Sequence, residues 1–164
     1  MMLGMRSGLS LTALTFALLL LTPATAAADD ASVKRAWDSN DPHFVKAGRD
    51  LDRALSLWRR SNFRRSGPLL RVNLRTRRLL EINTARVTGQ QASTPTGARA
   101  RRFALASNAS FARYTVLEAR GVRLVTARKR LQGRRALREA GTAFRRSARQ
   151  AKSGLTLFRR AGVR

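Results

Sequence analysis

Apolar side chains recur at three- and four-residue steps through most of the chain and nowhere in steps of two, a pattern that predicts helices and no strands. A first helix is expected from Asp41-Pro42 to about Ser61, with Asp41 as N-cap and Pro42 at the first helical position. Its stripe is Phe44, Ala47, Leu51, Ala54, Leu55 and Trp58. A second should run from Ser66-Gly67-Pro68 to about Thr88 on a less tidy set: Leu69, Val72, Leu79, Leu80, Ile82 and Val87. TGQQASTPTG, residues 88–97, is the clearest loop. A long third helix follows from about Ala98 to Leu131, with Phe103, Phe111, Tyr114, Leu117, Val122 and Val125 on one side and Gly121 as the place where it loosens or kinks. Gly133 should separate it from a last helix over 134–161, whose stripe is Leu137, Ala140, Phe144, Ala148, Ala151, Leu155 and Phe158. Ala140, Ala148, Ala151 and Gly154 are small enough to admit a close neighbour. The implied fold is all-α, an antiparallel bundle of about four helices over residues 41–164. A three-helix core with a detached first helix is the alternative.

The chain's start is patterned differently. Arg6, an apolar run from about Leu9 to Leu21, then Pro23 and a series of small residues make the three-part layout of a secretory signal peptide over residues 1–28. Cleavage is expected after Ala26 or Ala28. The apolar run falls short of the roughly 20 residues that span a bilayer. Residues 29–40 read as an extended linker. The implied location is secreted, periplasmic or cell-envelope.

Charge changes this picture most. Among 164 residues, 34 are Lys or Arg and 9 are Asp or Glu, a formal balance of +25. A codon preference for Arg over Lys would not remove acids, so the acid shortage is the informative half. Residues 29–58 hold six of the acids, whereas 59–164 hold only Glu81, Glu118 and Glu139. At 100° per residue, the basic residues of the last helix fall in one arc of about 140°. Among them are Arg134, Arg135, Arg138, Arg145, Arg146, Arg149 and Lys152. Ala136, Glu139, Ala143, Ser147, Gln150 and Leu157 take the other flank. The third helix carries a similar stripe with Arg101, Arg102, Arg113, Arg120 and Arg123. One-sided Arg faces suit phosphate or carboxylate polymers, because the guanidinium fork donates two parallel bonds and each phosphate contact releases counterions.

Candidates for chemistry fail on inspection. There is no Cys. A carboxylate di-metal site would pair Glu with a His three residues on, where this chain has Thr84, Gly121 and Thr142. Glu81 has Arg77 and Arg78 at ion-pair spacing and Glu139 has Arg135. Glu118 falls inside an apolar arc with no base near it, so it is expected to meet an Arg from another helix. His43, near Asp41 and Ser39, reads as part of a helix start. DSNDP, residues 38–42, lacks the Gly and the distant Glu of a calcium loop. Asn108-Ala109-Ser110 is a glycosylation sequon inside a helix, and Trp37, Trp58 and Phe63 suit core packing. The pattern points to no enzyme, cofactor or metal. It points to an exported cationic bundle that binds an anionic polymer or anionic membrane surface, not a specific nucleic-acid sequence. A membrane-active protein, or an interaction bundle with an acidic protein partner, are the rival readings.

Overall fold

The computed structural model describes residues 29–163, so the expected signal peptide and its cleavage sites lie outside the described residues. Five helices follow in order: α1 Asp30–Asp38, α2 Asp41–Arg60, α3 Gly67–Thr88, α4 Pro95–Thr126 and α5 Arg130–Arg160. No strand occurs among the described residues. Each long helix packs against the next through a short connection, which makes the all-α bundle that the periodicity implies. No described helix is long and apolar enough to cross a membrane.

Residues 29–40 are not extended. The Asp29 carboxylate accepts from the N–H groups of Ala31 and Ser32, at 2.9 and 3.0 Å, and starts a two-turn helix. Val33 on that helix is fully buried with Val87, Ala100, Ala104 and Phe158, and Trp37 packs on Phe158 with ring centroids 5.9 Å apart. A nine-residue helix is too short to display a stripe, so its burial is set by the partners it meets.

α2 matches its expected span, and Ala47, Ala54 and Trp58 from its stripe are buried. Its N-cap is Asn40, and Asp41 is the first helical residue. α3 departs further. Its buried residues are Leu69, Asn73, Thr76, Leu80, Asn83 and Val87, alternating three- and four-residue steps, and half of them are polar. Ile82, counted as apolar face, is 47% exposed. Asn83 is buried because its amide is fully used: it donates to the carbonyls of Ala36 and Trp37 at the end of α1 and accepts from Asn108 of α4 at 2.9 Å. The sequon asparagine is thus committed to the interior.

α4 and α5 form a long antiparallel hairpin that breaks at Ala127–Lys129, before Gly133. Gly133 lies inside α5 and Gly121 inside α4 because the two backbones nearly touch there. A Cβ on Gly133 would stand 2.5 Å from Val125 Cγ2 and 3.0 Å from the Gly121 carbonyl oxygen. Further along, the Ser147 hydroxyl donates to the Ser107 carbonyl at 3.0 Å, and the Ser107 hydroxyl reaches the Ser147 carbonyl at 3.2 Å. The α5 side of this seam is Gly133, Ala140, Ser147 and Gly154, one small residue every seven. The larger stripe does not form the seam: Phe144 is 50% exposed and Leu155 38%. Phe144 packs on Phe111 and Tyr114, and Phe111 in turn on Phe44 of α2, in an aromatic cluster beside the seam.

Glu118 is buried, as its arc implies, but no Arg meets it. Its Oε1 accepts from the Tyr114 hydroxyl of its own helix at 2.7 Å, and Oε2 has no partner. Burial pushes its pKa up and outweighs the Tyr114 hydrogen bond, which favours the charged form. The same burial and the carboxyl beside it push the Tyr114 hydroxyl up.

Candidate anion-binding surface

The seam determines where the arginines point. Counting 100° per residue, the buried face of α5 is rotated about 60° from the apolar stripe toward Ala136, Ala143 and Ser147. That flank, assigned to the polar side by sequence, is therefore partly core. The rotation leaves the basic arc diametrically opposite the seam. Arg138, Arg145 and Lys152 each stand five residues beyond a seam residue, Arg135 and Arg149 two residues beyond one, and all five are exposed. Arg134 and Arg146 are exposed at the two edges of this back face.

On α4, Arg102, Arg120 and Arg123 are exposed. Arg101 is different: its Nε donates to the Val87 carbonyl at 3.1 Å and its Nη2 to the Thr88 carbonyl at 2.8 Å. It closes the C-terminus of α3, where a cation also complements the helix dipole, and is committed to the fold.

The basic faces of the two helices border a shared groove along the hairpin. There Arg113 of α4 and Arg138 and Arg146 of α5 line one groove of about 590 Å³ together with Ala106, Ala109 and Ala143. Ser110 donates to the Gln150 side chain across it at 2.7 Å. Glu139 lies in the same groove.

Ion pairing divides the molecule. Among the described residues the pairs are Lys34–Asp38, Arg35–Asp29, Arg75–Asp50 and Arg77–Glu81. All lie on α1–α3 or at the Asp29 cap of α1. The spacing between Arg135 and Glu139 does not become an ion pair, and among the described residues no basic side chain of α4 or α5 is paired with an acid. Each of these cations keeps its field, available to an anion from outside.

The remaining candidates are placed without convergence. His43 is exposed at the start of α2. No three His, Asp or Glu side chains gather where a metal ion could sit among the described residues. Trp58 is buried, donating from Nε1 to the Phe63 carbonyl at 3.0 Å, while Phe63 is 41% exposed. No protein-family model, curated protein or solved structure matches the chain.

Proposed function

We propose that the chain is an exported, non-enzymatic bundle that holds an anionic polymer or surface outside the cytoplasm through the exposed arginines of α4 and of the back face of α5. Cell-wall polyanions, anionic headgroups and extracellular nucleic acid share the chemistry required. The observation that carries the reading is the arrangement of α5: a seam of small residues against α4, and opposite it an exposed basic face with no acid paired to it. A rigid helix presenting forks at one- and two-turn intervals binds a chain of phosphates or carboxylates largely through counterion release.

The test moves charge without changing it. Arg145→Ser and Arg149→Ser remove two cations from the α5 face, while Ser56→Arg and Leu74→Arg restore them at exposed positions of α2 and α3. Short duplex DNA serves as a model polyanion in a salt titration. The expected result is weaker binding and a log–log salt slope shallower by about 1–2, since each lost phosphate contact removes about 0.9. Superimposable curves for two folded proteins would mean that only total charge matters, and would sink the reading. Leakage from anionic vesicles at low protein concentration would favour a membrane-active protein instead.

A further inference from the structure

The α2–α3 and α4–α5 connections meet at one end of the bundle, across a cleft of about 500 Å³ lined by residues of both. The chain spends acids at its other helix starts: Asp29 caps α1, Asp41 sits in the first turn of α2, and α4 begins where Ser93 and Thr94 donate to Asp30. The starts of α3 and α5 have neither an acid in the first turn nor a side-chain cap. Arg64-Arg65 and Arg128-Lys129-Arg130 stand there instead. The N-terminus of a helix is already its positive end, so cations there oppose the helix dipole.

The backbone is strained at the same place. Phe63 and Arg128 hold φ of 64° and 63°, and Asn62 holds 49°. At the end of α4, Lys129 N–H bonds the Leu124 carbonyl and Arg128 N–H the Val125 carbonyl. The end of α5 closes with the same pair of bonds, from Val163 to Phe158 and from Gly162 to Arg159, and uses a glycine at φ 77°. Where α5 has Gly162, α4 has an arginine, whose Cβ disfavours that conformation.

We propose that this cleft is a binding site for a phosphate monoester group, held by Arg64, Arg128 and Arg130 and by the uncapped N-terminus of α5. A dianion supplies what the cap lacks, because free backbone N–H groups and the positive helix end favour anions, and arginine forks match phosphate oxygens. The left-handed Arg128 and the cations at two positive helix ends are stability spent on holding the site open to charge. The site uses none of the residues assigned to the polymer face, so the two readings stand or fall separately. Leu131, 84% exposed beside the cleft, suits a phosphate carried at a lipid surface, whereas the cleft by itself suits a free one.

The experiment is a titration of the purified chain with inorganic phosphate, read by calorimetry and by the unfolding midpoint. Arg128→Gly is expected to raise the midpoint in phosphate-free buffer, by about 3 °C, since it relieves both strain and repulsion. It should also weaken phosphate binding by about tenfold through loss of a charge-assisted contact. Arg128→Lys keeps charge and strain but loses the fork, and should bind phosphate less well without becoming more stable. Arg49→Ala, which removes an exposed cation near the middle of α2, should leave phosphate binding unchanged. The proposal is overturned if Arg128→Gly gains stability with no loss of phosphate affinity, or if Arg49→Ala loses as much as Arg128→Gly. Vesicles of phosphatidic acid in phosphatidylcholine separate the sources. A lipid phosphate predicts that Leu131→Ser lowers vesicle binding and spares inorganic phosphate, and a soluble one predicts that it changes neither.

Discussion

Two buried carboxylates, Asp30 and Glu118, meet opposite fates although each is at most 6% exposed. Burial opposes the charge on Asp30, but bonds from the Thr94 hydroxyl and N–H and from Ser93 outweigh it and hold its pKa below the usual carboxylate range. Its folded-state pKa being depressed, Asp30 contributes stability above the ordinary Asp range, lost as pH falls through the folded value. Asp30→Asn should cost about 1–2 kcal/mol at pH 7 by urea denaturation, with the gap closing on acidification. Glu118 has one donor in Tyr114 and an orphaned oxygen, so burial prevails and its pKa is raised. The sign reverses: wild-type stability is highest below the ordinary Glu range and falls as pH rises through the elevated value. Glu118→Gln should therefore be the more stable protein at pH 7 and show no advantage in acid. A Glu118→Gln protein less stable at pH 7 would show that the carboxylate is stabilised in its charged form. The burial of Glu118 was legible in its arc, but the partner was not. Helical spacing places a residue on a face and is silent on which side chains of other helices reach it.

Helix spans and most of the α2 stripe could be read from the sequence, because large apolar residues and Pro starts are strong local signals. The α4–α5 seam could not, because its signal is the absence of side chains. Phe144 and Leu155 dominate any hydrophobicity pattern, yet the face that packs belongs to Gly133, Ala140, Ser147 and Gly154, where small size lets backbones approach. Asn73, Thr76 and Asn83 were hidden in α3 for the converse reason: they are polar residues at core positions. α1 was missed because its two turns are docked by tertiary partners. A substitution that improves a helix should therefore harm the protein at the seam. Alanine exceeds glycine in helix propensity by about 1 kcal/mol. Gly48 on α2 has nothing within 4 Å of a new Cβ, and Gly48→Ala should stabilise by about 0.5–1 kcal/mol. Gly133→Ala would place its Cβ 2.5 Å from Val125 Cγ2 and 2.9 Å from the Val125 nitrogen. Forcing the helices apart should cost about 1–3 kcal/mol net. Equal urea midpoints for the two variants would mean that the close approach carries no energy.

At the scale of the whole molecule, the charges are sorted as well as unbalanced. Every ion pair among the described residues lies on α1–α3 or at the Asp29 cap, while the α4–α5 hairpin carries its cations without acid partners. The excess was plain in the composition, but its outward direction on α5 depended on the 60° rotation imposed by the seam. Like charges on one hairpin repel, and the fold bears that cost when no anion is bound. Screening should relieve it. The Debye length falls from about 30 Å at 0.01 M to about 3 Å at 1 M salt, a range that spans the spacing between successive turns. Sodium chloride raised across that range should therefore increase the unfolding midpoint. Arg138→Gln, Arg145→Gln and Arg149→Gln together should raise the midpoint at low salt and flatten its salt dependence. They remove repulsion from the back of α5 and touch no buried contact, all three sites being exposed. A midpoint insensitive to salt in the wild-type chain would mean that solvent already screens the hairpin. The Arg face would then cost the fold nothing, and would offer a bound polymer no relief of internal strain beyond the counterions it displaces.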